Sequence, residues 1–155
     1  MLNESQIDII TGYYDNAKEK KELTDYCFNT GKFKLGIPNL YYYIFNLCRA
    51  IIATEYEDTS KHKTLLGNFN KTMIHERKVF DRSYGSLLST LEKQRGLCDY
   101  EPNYKMDKEF ALYLYEQGML FGEELQNYIN KEYLQPSYNK TQTTHKINKQ
   151  YERWG

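Results

Sequence analysis

Apolar side chains recur along most of this chain at steps of three and four, the spacing that aligns them on one face of a helix. The strongest run spans residues 37–53. Ile37, Leu40, Tyr41, Ile44, Phe45, Cys48, Ile51 and Ile52 form one face, while Tyr42, Tyr43, Leu47, Ala50 and Ala53 fill most of the other. A helix apolar nearly all round has to be enclosed by other helices or by a partner chain. Only Asn46 and Arg49 interrupt the run. A guanidinium in so poorly hydrated a place needs a carboxylate, a carbonyl or a bound anion.

The same periodicity predicts four more helices. Residues 3–29 carry Ile7, Ile10, Tyr14 and Ala17 on one stripe, and Gly31 follows as a stop, because glycine accepts the left-handed conformation in which helices commonly end. The connection 32–36 then leads to Pro38, which suits a first helical turn, so the central helix is expected from there to about residue 57. Asp58, Thr59 and Ser60 form a polar break with good N-cap residues. A third helix carries Leu65, Leu66, Phe69 and Met73 and fades near His75. A fourth begins at Val79 and Phe80, continues through Tyr84, Leu87, Leu88 and Leu91, and weakens at Gly96; Pro102 makes 98–104 an irregular loop. Asp107 caps the last long helix, in which Phe110, Leu114, Phe121, Leu125 and Ile129 repeat until Pro136 stops it. The expectation is an all-α, antiparallel up-and-down bundle of about five helices over residues 1–134. Residues 135–155 lack periodicity and read as a polar, flexible tail.

Composition narrows the setting. Sixteen tyrosines in 155 residues supply apolar area with polar tips, suited to half-buried seams. Lysine plus arginine and aspartate plus glutamate number 21 each, so the zero net charge gives no global attraction for a polyanion and leaves only a local patch to provide one. Cys27, Cys48 and Cys98 are widely spaced and odd in number, which fits a reducing compartment rather than a disulfide framework. Without a leader-like start or an apolar run long enough for a membrane span, the chain is expected to be soluble and cytoplasmic.

No glycine-rich phosphate loop, zinc-spaced cysteine pair or nucleophile elbow occurs, so no metal or cofactor is expected. His62, His75 and His145 are isolated, and each reads first as an exposed or capping histidine, although imidazole is the natural proton carrier near neutral pH. The arginines carry more. Either Arg49 or Arg95 pairs with Asp99 and ties a loop to the bundle, or one or both hold phosphate while Tyr42, Asn46 and Tyr100 supply hydrogen bonds and stacking for a base. Helix geometry points Tyr41, Tyr42 and Tyr43 in three directions, so at most two of them lie in the core.

Gly31-Lys-Phe33, Gly36-Ile37, Tyr41-Tyr-Tyr-Ile-Phe-Asn46 and Arg49-Ala-Ile-Ile52 together resemble the glycine, Tyr-Tyr-x-x-Phe and Arg-Ala-Leu-Leu pattern of HEPN domains (higher eukaryotes and prokaryotes nucleotide-binding). The likeness continues through Lys61-His62-Lys63 and through Arg95-Gly-Leu-Cys-Asp99-Tyr100, similar to one subgroup's Arg-x-x-Ala-Asp-Tyr, and covers roughly residues 18–132.

That resemblance implies a helical bundle that forms homodimers and often partners a minimal nucleotidyltransferase. It also implies a place in a bacterial toxin–antitoxin or phage-defence module, with RNA or a nucleotide as ligand. Catalytic members carry an arginine followed four to six residues later by a histidine. Here the histidine position after Arg95 is Tyr100, and the histidine often found after Tyr-Tyr-x-x-Phe is Asn46. A tyrosine of ordinary pKa near 10 is a poor base at neutral pH and asparagine carries no proton, which argues against ribonuclease chemistry unless the fold brings His62 to Arg95. The residues expected at the site are therefore Arg95, Tyr100 and His62 for chemistry, and Arg49, Asn46, Tyr42 and Asp99 for binding. Tyr100 and Tyr104 are candidate acceptors for nucleotide transfer by a partner. Arg49 and Asn46 are expected to face one cleft completed by Arg95, Asp99 and Tyr100. The alternative is a non-catalytic subunit that binds a nucleotide or a companion nucleotidyltransferase.

Overall fold

Asn3 starts the first helix with a reciprocal cap: its side chain accepts from the Gln6 amide at 2.8 Å, and the Gln6 side chain accepts from the Asn3 amide at 2.9 Å. In a computed structural model that describes residues 2–134, this helix is α1 (Glu4–Asn29). Four more follow: α2 (Phe33–Ile52), α3 (His62–Phe69), α4 (Ser83–Tyr100) and α5 (Lys108–Glu132). No strand occurs among the described residues, and none of their helices is long and apolar enough to cross a membrane. The proposed tail and His145 lie outside the described residues.

Contacts along α2 fix the directions of its neighbours. Phe28 meets Gly36, Lys20 lies over Tyr42 and Arg49 over Tyr13, so α1 and α2 are antiparallel. Lys34 reaches the Glu101 and Pro102 carbonyls while Arg95 lies over Tyr42, so α4 also opposes α2. Stacking of Tyr84 on Phe121 at 4.1 Å, with Tyr104 bonded to Gln94, turns α5 back along α4. Consecutive long helices therefore alternate as expected. The diagonal pair α2 and α5 runs the same way, and the approach is close. A Cβ at Gly118 would lie 2.7 Å from Leu40 Cδ1, and one at Gly122 would collide with the Tyr43 ring. Small residues let these two backbones come together. Beside them runs a polar seam: Tyr43 donates to Gln126 at 2.6 Å, and Gln126 and Asn130 both donate to the Tyr14 hydroxyl.

Several boundaries differ from the sequence reading, and α2 ends at Ile52 rather than near residue 57, where the Thr54 and Tyr56 amides close a turn on the Ile51 and Ile52 carbonyls. α2 begins at Phe33, so Pro38 lies a full turn inside it and is buried. The ring removes one donor near the start, and burial between Ile37 and Leu40 outweighs that loss. Beyond α3 the backbone widens into π-helical turns over Asn70–Glu76, which keep Met73 and Ile74 in the core and close with Val79 N–H bonded to the Met73 carbonyl. Val79 and Phe80 thus close that segment rather than open the fourth helix. α4 starts at Ser83 and continues through Gly96 to Tyr100, placing Asp99 and Tyr100 on the helix instead of in a loop.

Candidate functional site

Between Gly36 and Ile52 every α2 residue is buried except Asn39, Tyr42, Asn46 and Arg49. These fall at steps of three, four and three, so the nearly all-apolar helix keeps one half-open stripe. Tyr41 and Tyr43 are wholly buried and Tyr42 is half-buried, which resolves the tyrosine triplet into two core residues and one at the stripe.

Neighbouring helices converge on this stripe. From α4, the Arg95 guanidinium stands 5.2 Å from the Tyr41 ring centre, 5.8 Å from that of Tyr42 and 5.9 Å from that of Tyr100. Its NH1 lies 3.5 Å from the Tyr100 hydroxyl and 3.9 Å from Asp99, one turn further along. Its Nε is buried and has no hydrogen-bond partner. From α1, the Lys20 ammonium sits 5.8 Å above the Tyr42 ring. Tyr100 is 73% exposed and leaves the cluster open to solvent. A cation flanked by aromatic faces and short of a partner is suited to an anion that carries a planar group.

His62, the first residue of α3, enters the same cluster. Its ring stacks on Phe45 at 4.0 Å and meets Tyr42 edge-on at 6.0 Å, and its Nδ1 lies 2.7 Å from the Tyr41 hydroxyl. Burial, followed by the positive charge of Arg95, lowers the His62 pKa from 6.5, with Glu92 opposing and Arg49 adding to the fall. The imidazole is therefore neutral at pH 7. Burial also raises the Tyr41 pKa, so that hydroxyl stays protonated. The bond to Tyr41 engages Nδ1 and leaves Nε2 as the nitrogen outside that pairing. A neutral imidazole and a guanidinium set against the same two tyrosines can hold a phosphate and exchange a proton beside it.

The remaining candidates divide. Asn46 donates to the Tyr42 carbonyl of its own helix at 2.8 Å. Arg49 does not pair with Asp99. Its Nε and NH2 engage Asp58 at 2.9 and 3.2 Å, and its guanidinium lies 4.4 Å from the Tyr13 ring centre. Asp58 holds Arg49 because residues 53–61 leave the end of α2 beside the last turn of its stripe, whereas Asp99 lies on α4 one turn from Arg95. Tyr104 donates its hydroxyl to Gln94 at 2.5 Å, and His75 is exposed within the π-helical turns.

Other surface hollows lie elsewhere. One of about 560 Å³ is lined by Ile74, His75 and residues 78–82; another of about 570 Å³ lies between α1 and α5, over Tyr43 and Gln126. Neither contains Arg95 or His62. Among the described residues no three His, Cys, Asp or Glu side chains gather as they would around a metal ion.

Sequence reasoning missed Tyr13, Lys20, Asp58 and Glu92. Lys20 is hidden in the charged run Lys18–Glu22, and Asp58 reads as a cap. Glu92 has a detectable signal, since it precedes Arg95 by one turn.

No protein-family model matches the chain. A curated protein of Methanocaldococcus jannaschii named "Putative toxin MJ0142" is 23% identical over 115 residues, covering 74% of this chain and 78% of that protein.

Proposed function

We propose that this protein is a HEPN-type member of a toxin–antitoxin or phage-defence module that acts on RNA through the cleft around Arg95. The observation that carries this reading is the meeting of Arg95, with its buried, unpartnered Nε, and the neutral His62 against the same two tyrosines. His62, reaching the cluster from α3, supports this reading in place of the histidine missing after Arg95. The name of the archaeal relative and the order of the HEPN-like motifs agree with a toxin of this kind. In the mechanism this supports, Arg95 fixes a backbone phosphate, Tyr42 and Tyr100 stack against a base, and His62 takes the proton of the 2′-hydroxyl as its oxygen bonds to that phosphorus and gives it to the 5′-oxygen that leaves. Such a protein would work in the cytoplasm as a homodimer.

The test uses purified full-length protein and single-stranded RNA at low salt. Wild type is expected to bind and cleave. Arg95→Ala should lose both binding and cleavage, and His62→Gln should lose cleavage while keeping most of the binding. Absence of both binding and cleavage in wild type would sink the reading.

One observation favours a second, non-catalytic reading. Tyr100 occupies the expected histidine position, is widely exposed and has its hydroxyl beside Arg95, so it is accessible to a companion nucleotidyltransferase. Tyr104, bonded to Gln94, is the less available acceptor. If the protein is such a partner's target, incubation with that enzyme and a nucleoside triphosphate adds one nucleotide by mass, and Tyr100→Phe abolishes the addition.

A further inference from the structure

Arg49 points from the half-open stripe of α2, seven residues beyond Tyr42, or about 10 Å along the helix axis. Arg95 lies over Tyr42, so two guanidiniums stand along the same half-open stripe of α2 about two helical turns apart. Both bear electrostatically on His62. They differ in what occupies them. Arg95 has a buried Nε without a partner, whereas Arg49 presents its Nε and NH2 edge to both carboxylate oxygens of Asp58. That two-point grip is also how a guanidinium takes a phosphate. The Tyr13 hydroxyl donates to the same carboxylate at 2.5 Å.

Asp58 belongs to the irregular segment between α2 and α3, and its side chain is 36% exposed. Solvent reaches the Asp58 side of the pair, so a competing anion has access to it, and a phosphate offers Arg49 the same two-point geometry. The segment leads directly into His62, so whatever moves Asp58 also bears on the imidazole.

We propose that Asp58 is an internal plug on a second phosphate position, Arg49, and that a single-stranded RNA reaching along α2 from Arg95 displaces it. This rests on the RNA reading above and adds a regulatory step to it. A mononucleotide bound at Arg95 is too short to reach Arg49 and leaves the plug in place. A strand spanning both positions exchanges Asp58 for a phosphate and releases the 53–61 segment from α1. Only a strand long enough to reach both positions would thereby move the segment that leads into His62.

The experiment compares binding of oligouridylate and of uridine monophosphate across a salt series. The proteins are wild type, Arg95→Ala, Asp58→Ala, Glu57→Ala and the Asp58→Ala/Arg49→Ala double variant. Glu57 is exposed on the same segment, so its removal matches the charge change without touching Arg49. Asp58→Ala is expected to bind oligouridylate several-fold more tightly than wild type at low salt and to leave the monophosphate unchanged. Removing the plug should leave wild type's slope of log affinity against log salt shallower than that of Asp58→Ala by up to about 0.7, one phosphate contact on a single strand. Glu57→Ala should match wild type, and the double variant should fall back to wild type or below. Equal gains in Glu57→Ala and Asp58→Ala, or a double variant as tight as Asp58→Ala, would overturn the plug. If Asp58→Ala fails to fold by circular dichroism, Tyr13→Phe carries the test, because it weakens the hold on Asp58 at constant charge. A smaller gain is then expected, and no gain overturns the proposal. Oligouridylate binding that is lost in Arg95→Ala but unmoved by Asp58→Ala removes the plug and leaves the RNA reading standing. No binding by any variant sinks both.

Discussion

A histidine stacked on Phe45 and bonded to the buried Tyr41 gains little from becoming charged, and Arg95 makes the charge costlier still. The consequence can be measured at the residue itself. His62 should titrate below 6.5 by NMR, and its midpoint should rise in Arg95→Ala, where the positive charge that opposes protonation most is gone; a wild-type midpoint at or above 6.5 would contradict the burial of this imidazole beside Arg95. Linkage gives the sign for stability. Between the folded pKa and 6.5 the unfolded chain holds the extra proton, so stability falls as pH drops through that window and is flat above it. Urea unfolding of His62→Gln should lack this step. Asp58 acts in a lower window, because Arg49 and Tyr13 hold its carboxyl below 3.8 against the opposing effect of burial. Its stabilising contribution is present above 3.8 and is lost as pH falls through the folded value, so the two residues separate along the pH axis.

At the scale of elements, two glycines with opposite surroundings make a paired prediction. Gly96 lies inside α4 with nothing near the position of a Cβ, so Gly96→Ala should raise stability by about 0.5–1 kcal/mol through backbone entropy and helix propensity. Gly122 lies inside α5 against the fully buried Tyr43 ring, whose hydroxyl is tied to Gln126. There the same propensity gain is opposed by overpacking, and Gly122→Ala should lower stability by about 1–3 kcal/mol in denaturant unfolding. The contrast also shows what the sequence could disclose. The apolar spacing of residues 37–53 marked α2 as the enclosed helix and singled out Arg49, because burial follows helical periodicity. Gly96 and Pro38 misled, since their local cost is smaller than what the packing of Leu91 and Cys98, or of Ile37 and Leu40, returns. His62 and Asp58 were legible only as residue types. Their roles arise where the segment after α2 carries Asp58 against Arg49 and then brings His62 to Phe45, and no periodicity records such a path.

Across the whole molecule, three cysteines on three helices report whether the bundle opens as one body. Cys27 on α1, Cys48 on α2 and Cys98 on α4 are all buried free thiols, and burial raises the pKa of each. Reaction with a thiol reagent needs an exposed thiolate, so each site labels only when its surroundings open. Cys48 has no exposure and sits in the helix that α1, α3, α4 and α5 all contact, so reaching it requires disruption of the whole core. Cys27 and Cys98 lie toward the end where α2 begins: Cys27 packs by Gly36, and Cys98 feels the Lys34 charge. Fraying there exposes both without opening the core around Tyr41 and Phe45, and it carries Asp99 and Tyr100 away from Arg95. Mass-resolved labelling in native buffer should therefore find Cys27 and Cys98 reacting faster than Cys48, whose protection should equal the free energy of global unfolding. Labelling of Cys48 as fast as the other two would mean that α2 separates from its neighbours in the native state, and a site built on its half-open stripe would not hold its geometry.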